Sequence, residues 1–343
     1  MKTLSEEHLA YHTLANIMHA DYRKLAELYE RHASWQASLA SIVQKKPEGE
    51  TVPPLGPDMR LLLRADGDFP AVLREIPYPP HGIYVRGPLP QGTTRTVAIV
   101  GTRKATPEGK DVARRFAREL AEAGCAIISG LAFGLDAAAH EGALDGKGYT
   151  AAVLATGLDR VYPQWNAKLA ERILANGGAL ISEYPPGSPA LPYRFLERNR
   201  IVSGLAEGVL VIEAPERSGS LATARFALEQ NRQVFVVPGP ATHPNFAGSH
   251  ALIRAGAELV TEPAHITEAL GIIARPDHAE TGTYSDEERL IRDAFRTAKG
   301  PLAIDTIIEY TKLNAQTVNR TLSLLIIQGT VAENGNGYTL NRP

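Results

Sequence analysis

The chain has 343 residues, of which 44% are hydrophobic and 22% charged, so it carries enough apolar mass for more than one folded core. Its 36 Lys and Arg against 38 Asp and Glu give a formal net charge of −2, which excludes a globally basic nucleic-acid coat but permits a local basic patch. The single cysteine, Cys125, excludes an intramolecular disulfide, and its apolar surroundings predict a buried structural thiol.

Neither a membrane span nor a signal peptide is predicted. No apolar stretch approaches the roughly 20 residues that a membrane-spanning helix needs. The N-terminus has acidic residues, Glu6 and Glu7, where a signal peptide would have its apolar core. We therefore expect a cytoplasmic protein with no membrane partner.

The N-terminal segment has the pattern of a helical module over residues 1–46. Apolar residues recur there at helical spacing, from Leu9 to Tyr29. His8 and His12 stand four residues apart and could in principle hold a metal ion, but we favour two solvated histidines on a helix surface and predict no metal site. A Pro- and Gly-rich stretch over residues 47–57 then predicts a linker.

The middle of the chain, residues 58–272, alternates strands and helices. Apolar runs typical of buried strands occur at residues 97–100, 126–128, 151–154, 179–181, 209–212 and 234–237. Segments with helical signals separate them, and the first helix should begin at Pro107 with Thr106 as its N-cap. This pattern predicts a doubly wound α/β fold, a parallel sheet with helices on both faces. In such folds ligands bind at the carboxyl ends of the strands.

The C-terminal segment, residues 283–343, follows a second Pro- and Gly-rich stretch over residues 271–282. Helices are predicted over residues 287–296, 301–310 and 314–328, and a hairpin turn over residues 334–337. Three helices and a hairpin are the layout of a winged helix, although a small helical cap without a ligand fits equally well. Its seven acidic and seven basic residues give weak support for a wing that grips DNA.

The loop after the first strand of the α/β domain reads Gly101-Thr102-Arg103-Lys104. Glycine allows close approach of the backbone to an anion, the threonine offers a hydroxyl, and the two cations can neutralise phosphate. The dipole of the following helix adds positive potential. We favour anion binding over the alternative, a surface turn with two solvated cations.

The loop after the second strand leads to Asp136 and His140, four residues apart on one predicted helix. They could form a buried hydrogen-bonded pair. A catalytic pair would need a nucleophile, and the sequence nominates none, so we interpret this pair as structural.

Aromatic and basic residues alternate after the fourth strand, where Phe195, Arg198 and Asn199 occur within five residues. Aromatic rings that stack on bases, together with arginines that hold the backbone, are what single-stranded nucleic acid requires. Tyr162 and Trp165 follow the third strand, and they could either add stacking surface or cover the edge of the sheet.

The loop after the fifth strand reads Arg217-Ser218-Gly219-Ser220 and opens a helix. Its small residues suit backbone contacts with phosphate, and the loop should converge with the first loop across the crevice.

The usual cofactor signatures are missing. The sequence has no G-x-G-x-x-G after the first strand, no G-x-x-x-x-G-K-[ST] and no H-E-x-x-H. These absences count against a dehydrogenase, a P-loop ATPase and a zinc hydrolase, and we predict no cofactor.

A series of motifs resembles the DprA/Smf family, the DNA-processing proteins A of natural transformation, over nearly the whole chain. The matching motifs are Tyr78-Pro79-Pro80, Tyr84-Val85-Arg86-Gly87, residues 97–103, Ser129-Gly130-Leu131-Ala132, Gly134-Leu135-Asp136, Ala139-His140, Tyr162-Pro163, Asn166, Ser182-Glu183-Tyr184-Pro185, Phe195, Arg198-Asn199-Arg200-Ile201, Arg217-Ser218-Gly219-Ser220 and Pro238-Gly239.

This resemblance implies an extended Rossmann-like domain that binds single-stranded DNA, forms a homodimer and helps to load the RecA recombinase, without being an enzyme. It maps the binding pocket onto Arg103, Phe195, Arg198, Asn199 and the 217–220 loop. The N-terminal segment resembles the family's helical, SAM-like module, and the tail resembles its optional winged-helix domain. Single-strand-binding protein is a further candidate partner.

Two rival functions remain open. Related Rossmann-like families cleave ribose–base bonds in nucleotides, but they carry a Pro-Gly-Gly loop with a catalytic glutamate where this chain has residues 217–220. The other rival is a sequence-specific regulator that acts through the winged helix.

For the dimer and partner surface we nominate Leu252 and Ile253, which could instead pack on the protomer's own sheet.

Overall fold

The structure is a computed structural model that describes residues 4–43, 52–56, 58–90, 92, 94–272, 285–298, 301–327, 330–334 and 337–340. It divides into two compact units, Met1–Ile273 and Ala274–Pro343. Within these described ranges, no helix is both long and apolar enough to cross a bilayer.

Three helices lead the first unit: α1 (Glu6–Ile17), α2 (Tyr22–His32) and α3 (Trp35–Val43). Asp21 caps α2 by accepting hydrogen bonds from two backbone amides of its first turn. Glu7 on α1 accepts from the Trp35 amide (2.8 Å) and the Ser34 hydroxyl (2.6 Å) at the start of α3. The carboxylate therefore joins α1 to the positive end of α3.

The prediction of two solvated histidines on a helix surface is wrong for His12, which is buried. Its Nε2 donates to the Pro53 carbonyl at 2.8 Å, so Nδ1 accepts from the Tyr84 hydroxyl at 3.0 Å. His8 hydrogen-bonds through Nε2 to Asp66 at 2.8 Å. Both rings thus tie α1 to other parts of the unit, and no cluster of potential metal ligands occurs among the described residues.

A nine-stranded sheet organises the first unit. Its strands are β1 (Met59–Leu63), β2 (Gly82–Arg86), β3 (Thr96–Val100), β4 (Ala126–Ser129), β5 (Thr150–Leu154), β6 (Ala179–Ser182), β7 (Gly208–Val211), β8 (Gln233–Val236) and β9 (Glu258–Leu259). They lie in the order β1-β2-β6-β5-β4-β3-β7-β8-β9. The pairs β1–β2 and β2–β6 are antiparallel, and the remaining pairs are parallel.

The six predicted strands are β3 to β8, and they form the parallel sheet that the sequence predicts. The expectation of a purely parallel sheet is corrected at one edge, where β1 and β2 add an antiparallel pair. The short strand β9 extends the other edge. The fold is therefore mixed α/β with a large, mostly parallel sheet.

Helices cover both faces of this sheet. They are α4 (Ala71–Arg74), α5 (Pro107–Glu122), α6 (Leu135–Asp145), α7 (Ala167–Ala175), α8 (Pro192–Gly204), α9 (Gly219–Glu229), α10 (Ala247–Arg254) and α11 (Pro263–Ala269), with short 3-10 helices at Gln164–Asn166 and Pro244–Phe246. The predicted start of α5 is confirmed: Pro107 is its first residue, and the Thr106 hydroxyl accepts from the Gly109 amide at 2.9 Å.

Side chains alternate between the two faces along each strand. In β3, Ala98 and Val100 pack under α8, α9 and α10, whereas Val97 and Ile99 pack against α5 and α6. Each fully buried Val or Ile contributes roughly 1.5–3 kcal/mol, so this double-sided burial holds the sheet between its helices. Cys125 belongs to the core between the sheet and helices α5 and α6. Burial raises the pKa of its thiol to about 12, as expected of a structural cysteine.

The second unit has its own core. It contains α12 (Asp286–Ala298), α13 (Ile304–Thr311) and α14 (Ala315–Ile327), followed by the antiparallel strands β10 (Val331–Asn334) and β11 (Gly337–Leu340). Apolar residues of all three helices and of β10 enclose it. Three helices followed by a hairpin are the order that the sequence predicts; turn residues 335 and 336 lie outside the described residues.

Candidate functional site

A cleft of about 500 Å³ opens at the carboxyl ends of β3, β4 and β7. After β3 the chain crosses to β4 on one side, whereas β7 lies on the other side of β3. This is the topological switch point of the sheet, where loops diverge and leave a crevice for ligands. The loops after β3 and β7 both line it, together with the first turns of α8 and α9.

The loop after β3 is fixed by backbone contacts. The Thr102 amide donates to the Glu213 carbonyl at 2.8 Å, and the Thr102 hydroxyl accepts from the Lys104 amide at 3.2 Å. Opposite it, Gly134 has a φ of +80°, and a Cβ there would lie 2.4 Å from the Thr102 carbonyl. Only glycine fits this approach, so Gly134 packs directly against the backbone of the loop.

Glu213 is a buried carboxylate beneath this loop that the sequence did not single out. It accepts hydrogen bonds from the Thr106 amide (3.2 Å), the Thr106 hydroxyl and the Asn245 side-chain amide (2.7 Å). Because its carboxylate accepts these hydrogen bonds at the start of α5, Glu213 holds the loop after β3 in place, and it is not part of the cleft lining. The available signal in the sequence was the predicted N-cap Thr106, because a carboxylate is stabilised near the positive N-terminus of a helix.

Arg103, Phe195 and Tyr162 form a contiguous cluster of one guanidinium and two rings in the cleft lining, with the two rings tilted by 58° to each other. The Arg103 guanidinium carbon lies 4.8 Å from the centre of the Phe195 ring, and the Tyr162 and Phe195 ring centres are 5.6 Å apart. Arg103 is exposed and Tyr162 is 48% exposed. In the described part of the chain no carboxylate pairs with Arg103. An anion can therefore approach its guanidinium while a ring stacks beside it.

Arg198 has a different role from Arg103, because it is only 4% exposed. Its Nη1 donates to the carbonyls of Gly130 (2.7 Å) and Val153, and its Nε donates to the Asn199 side chain at 3.2 Å. Burial lowers the pKa of Arg198 to about 10, and Asp136 opposes this effect. Arg198 therefore braces the ends of β4 and β5 and contributes positive charge to the cleft floor.

Asp136 and His140 do not form the hydrogen-bonded pair that the sequence suggested. The His140 Nδ1 hydrogen-bonds to the Thr150 hydroxyl at 2.7 Å, and burial lowers the pKa of His140 to about 3. Asp136 instead accepts from the Ala132 amide at 3.3 Å and lines the cleft. Burial raises the pKa of Asp136, and the charge of Arg198 opposes this rise.

The 217–220 loop closes the cleft at the start of α9. The Ser218 hydroxyl caps this helix by accepting from the Ser220 amide at 3.3 Å, and the Asn199 side chain donates to the Gly219 carbonyl at 3.2 Å. Arg217 is exposed at the mouth of the cleft. Both α8 and α9 begin at the cleft, so their positive ends add to the charge of its arginines.

The cleft suits binding of an anion with planar rings more than acid–base chemistry. Among the described residues its lining has three arginines against one aspartate, and it contains no histidine, cysteine or glutamate. General acid–base catalysis and nucleophilic catalysis usually need such groups in pairs. Phosphates, in contrast, are recognised by arginines and helix N-termini, and bases by exposed rings.

Ten of the eleven residues that the sequence nominated line this cleft. They are Gly101, Thr102, Arg103, Phe195, Arg198, Asn199, Arg217, Ser218, Gly219 and Ser220. Lys104 does not: its side chain is exposed outside the lining, and its backbone binds Thr102 and Asn245. Gly130 and Asp136 line the cleft without having been nominated. Gly130 directly follows β4, and Asp136 lies in the first turn of α6, so their positions in the loop after a predicted strand were the available signal. Tyr162, for which the sequence left open a stacking role or a place on the sheet edge, also lines the cleft.

Leu252 and Ile253 lie on α10, away from the cleft lining, and both are half-buried. They pack on the core that covers one face of β7 and β8. Part of each side chain therefore stabilises the protomer itself, and the remainder faces outward.

Comparison with known proteins found the following matches. The model of the family described as DNA recombination-mediator protein A matches residues 60–271. Protein Smf of Escherichia coli (strain K12) is 46% identical over 232 residues, which cover 66% of this chain and 62% of that protein. The X-ray structure of DNA processing protein A (DprA) from Streptococcus pneumoniae is 37% identical, with a TM-score of 0.58 and coverage of 68% of this chain and 77% of that chain.

A structure of DNA processing protein A from Helicobacter pylori, described for its single-stranded DNA binding mode, is 32% identical. Its TM-score is 0.56, and the match covers 62% of this chain and 95% of that chain. The chain thus aligns with less than two thirds of the length of the E. coli relative.

Proposed function

Because this chain belongs to the DNA recombination-mediator protein A family, we propose that its cleft binds single-stranded DNA during recombination. The observation that carries the proposal is the surface formed by Arg103, Phe195 and Tyr162, with ring and guanidinium 4.8 Å apart. A cation held against an aromatic ring can bind a phosphate while the neighbouring ring stacks on a base. The sequence-based assignment of Gly101 to Lys104 and of residues 217–220 as DNA contacts is part of this proposal.

The geometry favours a single strand over a duplex. Phe195 is half-buried in a cleft of about 500 Å³, so a base must enter the cleft to stack on it. In a duplex the bases stack on one another, and taking one out costs a few kcal/mol. An unpaired strand presents its bases without that cost. The backbone contacts of the helix N-termini carry no sequence information, so the binding should tolerate most sequences.

Cleavage of nucleotides is the alternative that the cleft favours less. Asp136 is the one carboxylate among the described lining residues, and it accepts a backbone hydrogen bond and faces Arg198. A base-releasing enzyme needs a carboxylate free to act on the nucleotide. We therefore propose a non-enzymatic binder.

The proposal extends to partners. Loading of the RecA recombinase onto the bound strand, with single-strand-binding protein as a further partner, follows from the family resemblance. A homodimer through α10 is supported by the outward-facing parts of Leu252 and Ile253, and by Leu259 on the edge strand β9, which is 47% exposed. A dimer would place two clefts in one particle and strengthen binding to long strands.

The C-terminal unit is proposed to be a winged helix on the order of its elements, three helices and then a hairpin. We divide the chain into the N-terminal module over residues 1–46, the DNA-binding domain over residues 58–272 and the winged helix over residues 283–343. Because the charges of this last region balance, a protein or duplex DNA could be its partner.

Fluorescence anisotropy with a labelled oligothymidylate and a labelled hairpin duplex tests the central proposal. We expect tighter binding of the single strand. Phe195→Ala should raise its Kd about five- to 150-fold, since a stacked base contributes ~1–3 kcal/mol. Leu228→Ala, an exposed change on α9 outside the cleft, is the control. Equal affinity for both DNAs, unaffected by Phe195→Ala, would contradict the proposal, and release of a free base from nucleotides would favour the enzyme.

A further inference from the structure

Trp165 is the most exposed large apolar side chain of the described residues, at 86%. The chain has two tryptophans, and the other, Trp35, is 4% exposed and packs among aromatic rings of the N-terminal helices. Leaving an indole in water forfeits the favourable burial of a large ring. Trp165 therefore does not cover the sheet edge, which was one of the two roles that the sequence left open.

The backbone that carries Trp165 is fixed to the cleft on both sides. Tyr162, three residues earlier, lines the cleft beside Phe195. Asn166, the next residue, is buried, and its side-chain amide donates to the carbonyls of Leu131 (2.9 Å) and Ala132 (3.2 Å). A short 3-10 helix, Gln164–Asn166, connects these anchors. Trp165 is thus an exposed ring on a firmly held rim of the cleft.

We propose that the DNA strand continues from the cleft over this rim and that Trp165 stacks on a base outside the cleft. This inference rests on the proposed function, because it extends the same binding site. Arg103, Phe195, Tyr162 and Trp165 then form one path of stacking groups. Lys168, exposed three residues further at the start of α7, offers a cation for the accompanying phosphate. Every base has an aromatic face, so such a contact adds length-dependent affinity without sequence preference.

The contrast between the two tryptophans provides a direct test by fluorescence. In the full chain, titration with a long oligothymidylate should quench the emission of Trp165 and protect it from iodide, because a stacked base covers the indole. Trp165→Phe should abolish that quenching while largely preserving affinity. Trp35→Phe should keep the quenching. If that substitution in the core destabilises the fold, the comparison of wild-type protein with Trp165→Phe alone still shows whether the quenching comes from Trp165.

Affinity as a function of strand length provides the second readout. Trp165→Ala should raise the Kd of the long strand about fivefold or more, as expected for one lost stacking contact, and leave the Kd of a dinucleotide unchanged. Tyr78→Ala removes another exposed ring outside the cleft lining and serves as the matched control.

The outcomes separate the inference from the proposed function. If wild-type protein bound no strand of any length, the proposed function itself would fail. If it bound with unchanged fluorescence and equal affinity in Trp165→Ala, only the role of Trp165 would be wrong. If Trp165→Ala altered only the particle mass in light scattering, the rim would be a protein interface and the inference would be overturned.

Discussion

Replacing Arg103 by glutamine should lower the salt dependence of single-strand binding. Arg103 is exposed and lies over Phe195, and no carboxylate of the described chain pairs with it. Its charge is therefore free to neutralise a phosphate and release a counterion. Each phosphate contact on a single strand contributes about 0.7 to the slope of log K against log salt concentration. Glutamine keeps a planar polar end group on a shorter side chain and removes the charge.

The magnitude follows from the number of exposed cleft arginines that form no ion pair with a described carboxylate, which are Arg103 and Arg217. Arg103→Gln and Arg217→Gln should each reduce the slope by about 0.7, and the double variant by about 1.4. Between roughly 50 and 200 mM salt, the single variant should then lose about 2.6-fold less affinity than wild type. Arg198 is not suitable for this test, because removing it leaves the carbonyls of Gly130 and Val153 without their donor.

Anisotropy titrations of one oligothymidylate at several salt concentrations measure these slopes. Arg225→Gln is the control: Arg225 is exposed on the same helix as Ser220 but lies outside the cleft lining, so its slope should equal that of wild type. Identical slopes for wild type and the Arg103→Gln, Arg217→Gln double variant would refute the assignment of phosphates to this cleft.

Four further outcomes are expected. Because burial raises the pKa of Asp136, DNA binding should tighten as the pH falls and this carboxylate loses its charge; Asp136→Asn should bind more tightly at neutral pH and show less pH dependence in anisotropy. Burial lowers the pKa of His140 to about 3, so below about pH 6.5 the unfolded chain binds a proton that the folded chain does not. Chemical denaturation should therefore show that this group lowers the free energy of unfolding by roughly 2 kcal/mol at pH 5. His140→Gln should make the free energy of unfolding less dependent on pH. A chain that ends at Ile273, the limit of the first compact unit, should stay folded and bind single strands as well as wild type; insolubility would show that the units depend on each other. Ile253→Glu should give a folded monomer in light scattering that binds short strands as wild type does and long strands more weakly. A wild-type protein that is monomeric at micromolar concentration would contradict the proposed dimer.

The parallel part of the fold was predictable because its physical signals are local. Strands buried on both faces need continuous apolar runs, and residues 97–100 and 209–212 supply them within β3 and at β7. Thr106 and Pro107 likewise mark the start of α5 by capping rules alone. Once the strand order is that of a doubly wound sheet, the loops that follow β3 and β7 must meet, which explains why most nominated residues share one cleft.

The remaining features depend on distant contacts. Strand β9 has two residues, too few for any periodicity, and the β1–β2 pair lies before the first regular strand–helix alternation. His12 has the helical position of a surface residue, but strand β2 provides Tyr84 as its partner. Asp136 and His140 have the spacing of a pair, yet Thr150 binds the histidine and burial beside Arg198 decides the state of the aspartate. Sequence spacing could not reveal these partners, because each comes from another element.

Photo-cross-linking of a single strand tests most directly whether DNA occupies the cleft. An oligonucleotide that contains 5-iodouracil, bound to wild-type protein and irradiated, joins covalently to aromatic side chains that lie against its bases. The structure offers Phe195 and Tyr162 inside the cleft and several exposed rings elsewhere, such as Tyr78 and Tyr310. We expect mass spectrometry to find the linked base on peptides that carry Phe195 or Tyr162. Cross-links confined to Tyr78, Tyr310 or other rings away from both the cleft and its rim residue Trp165 would contradict its assignment as the DNA-binding site.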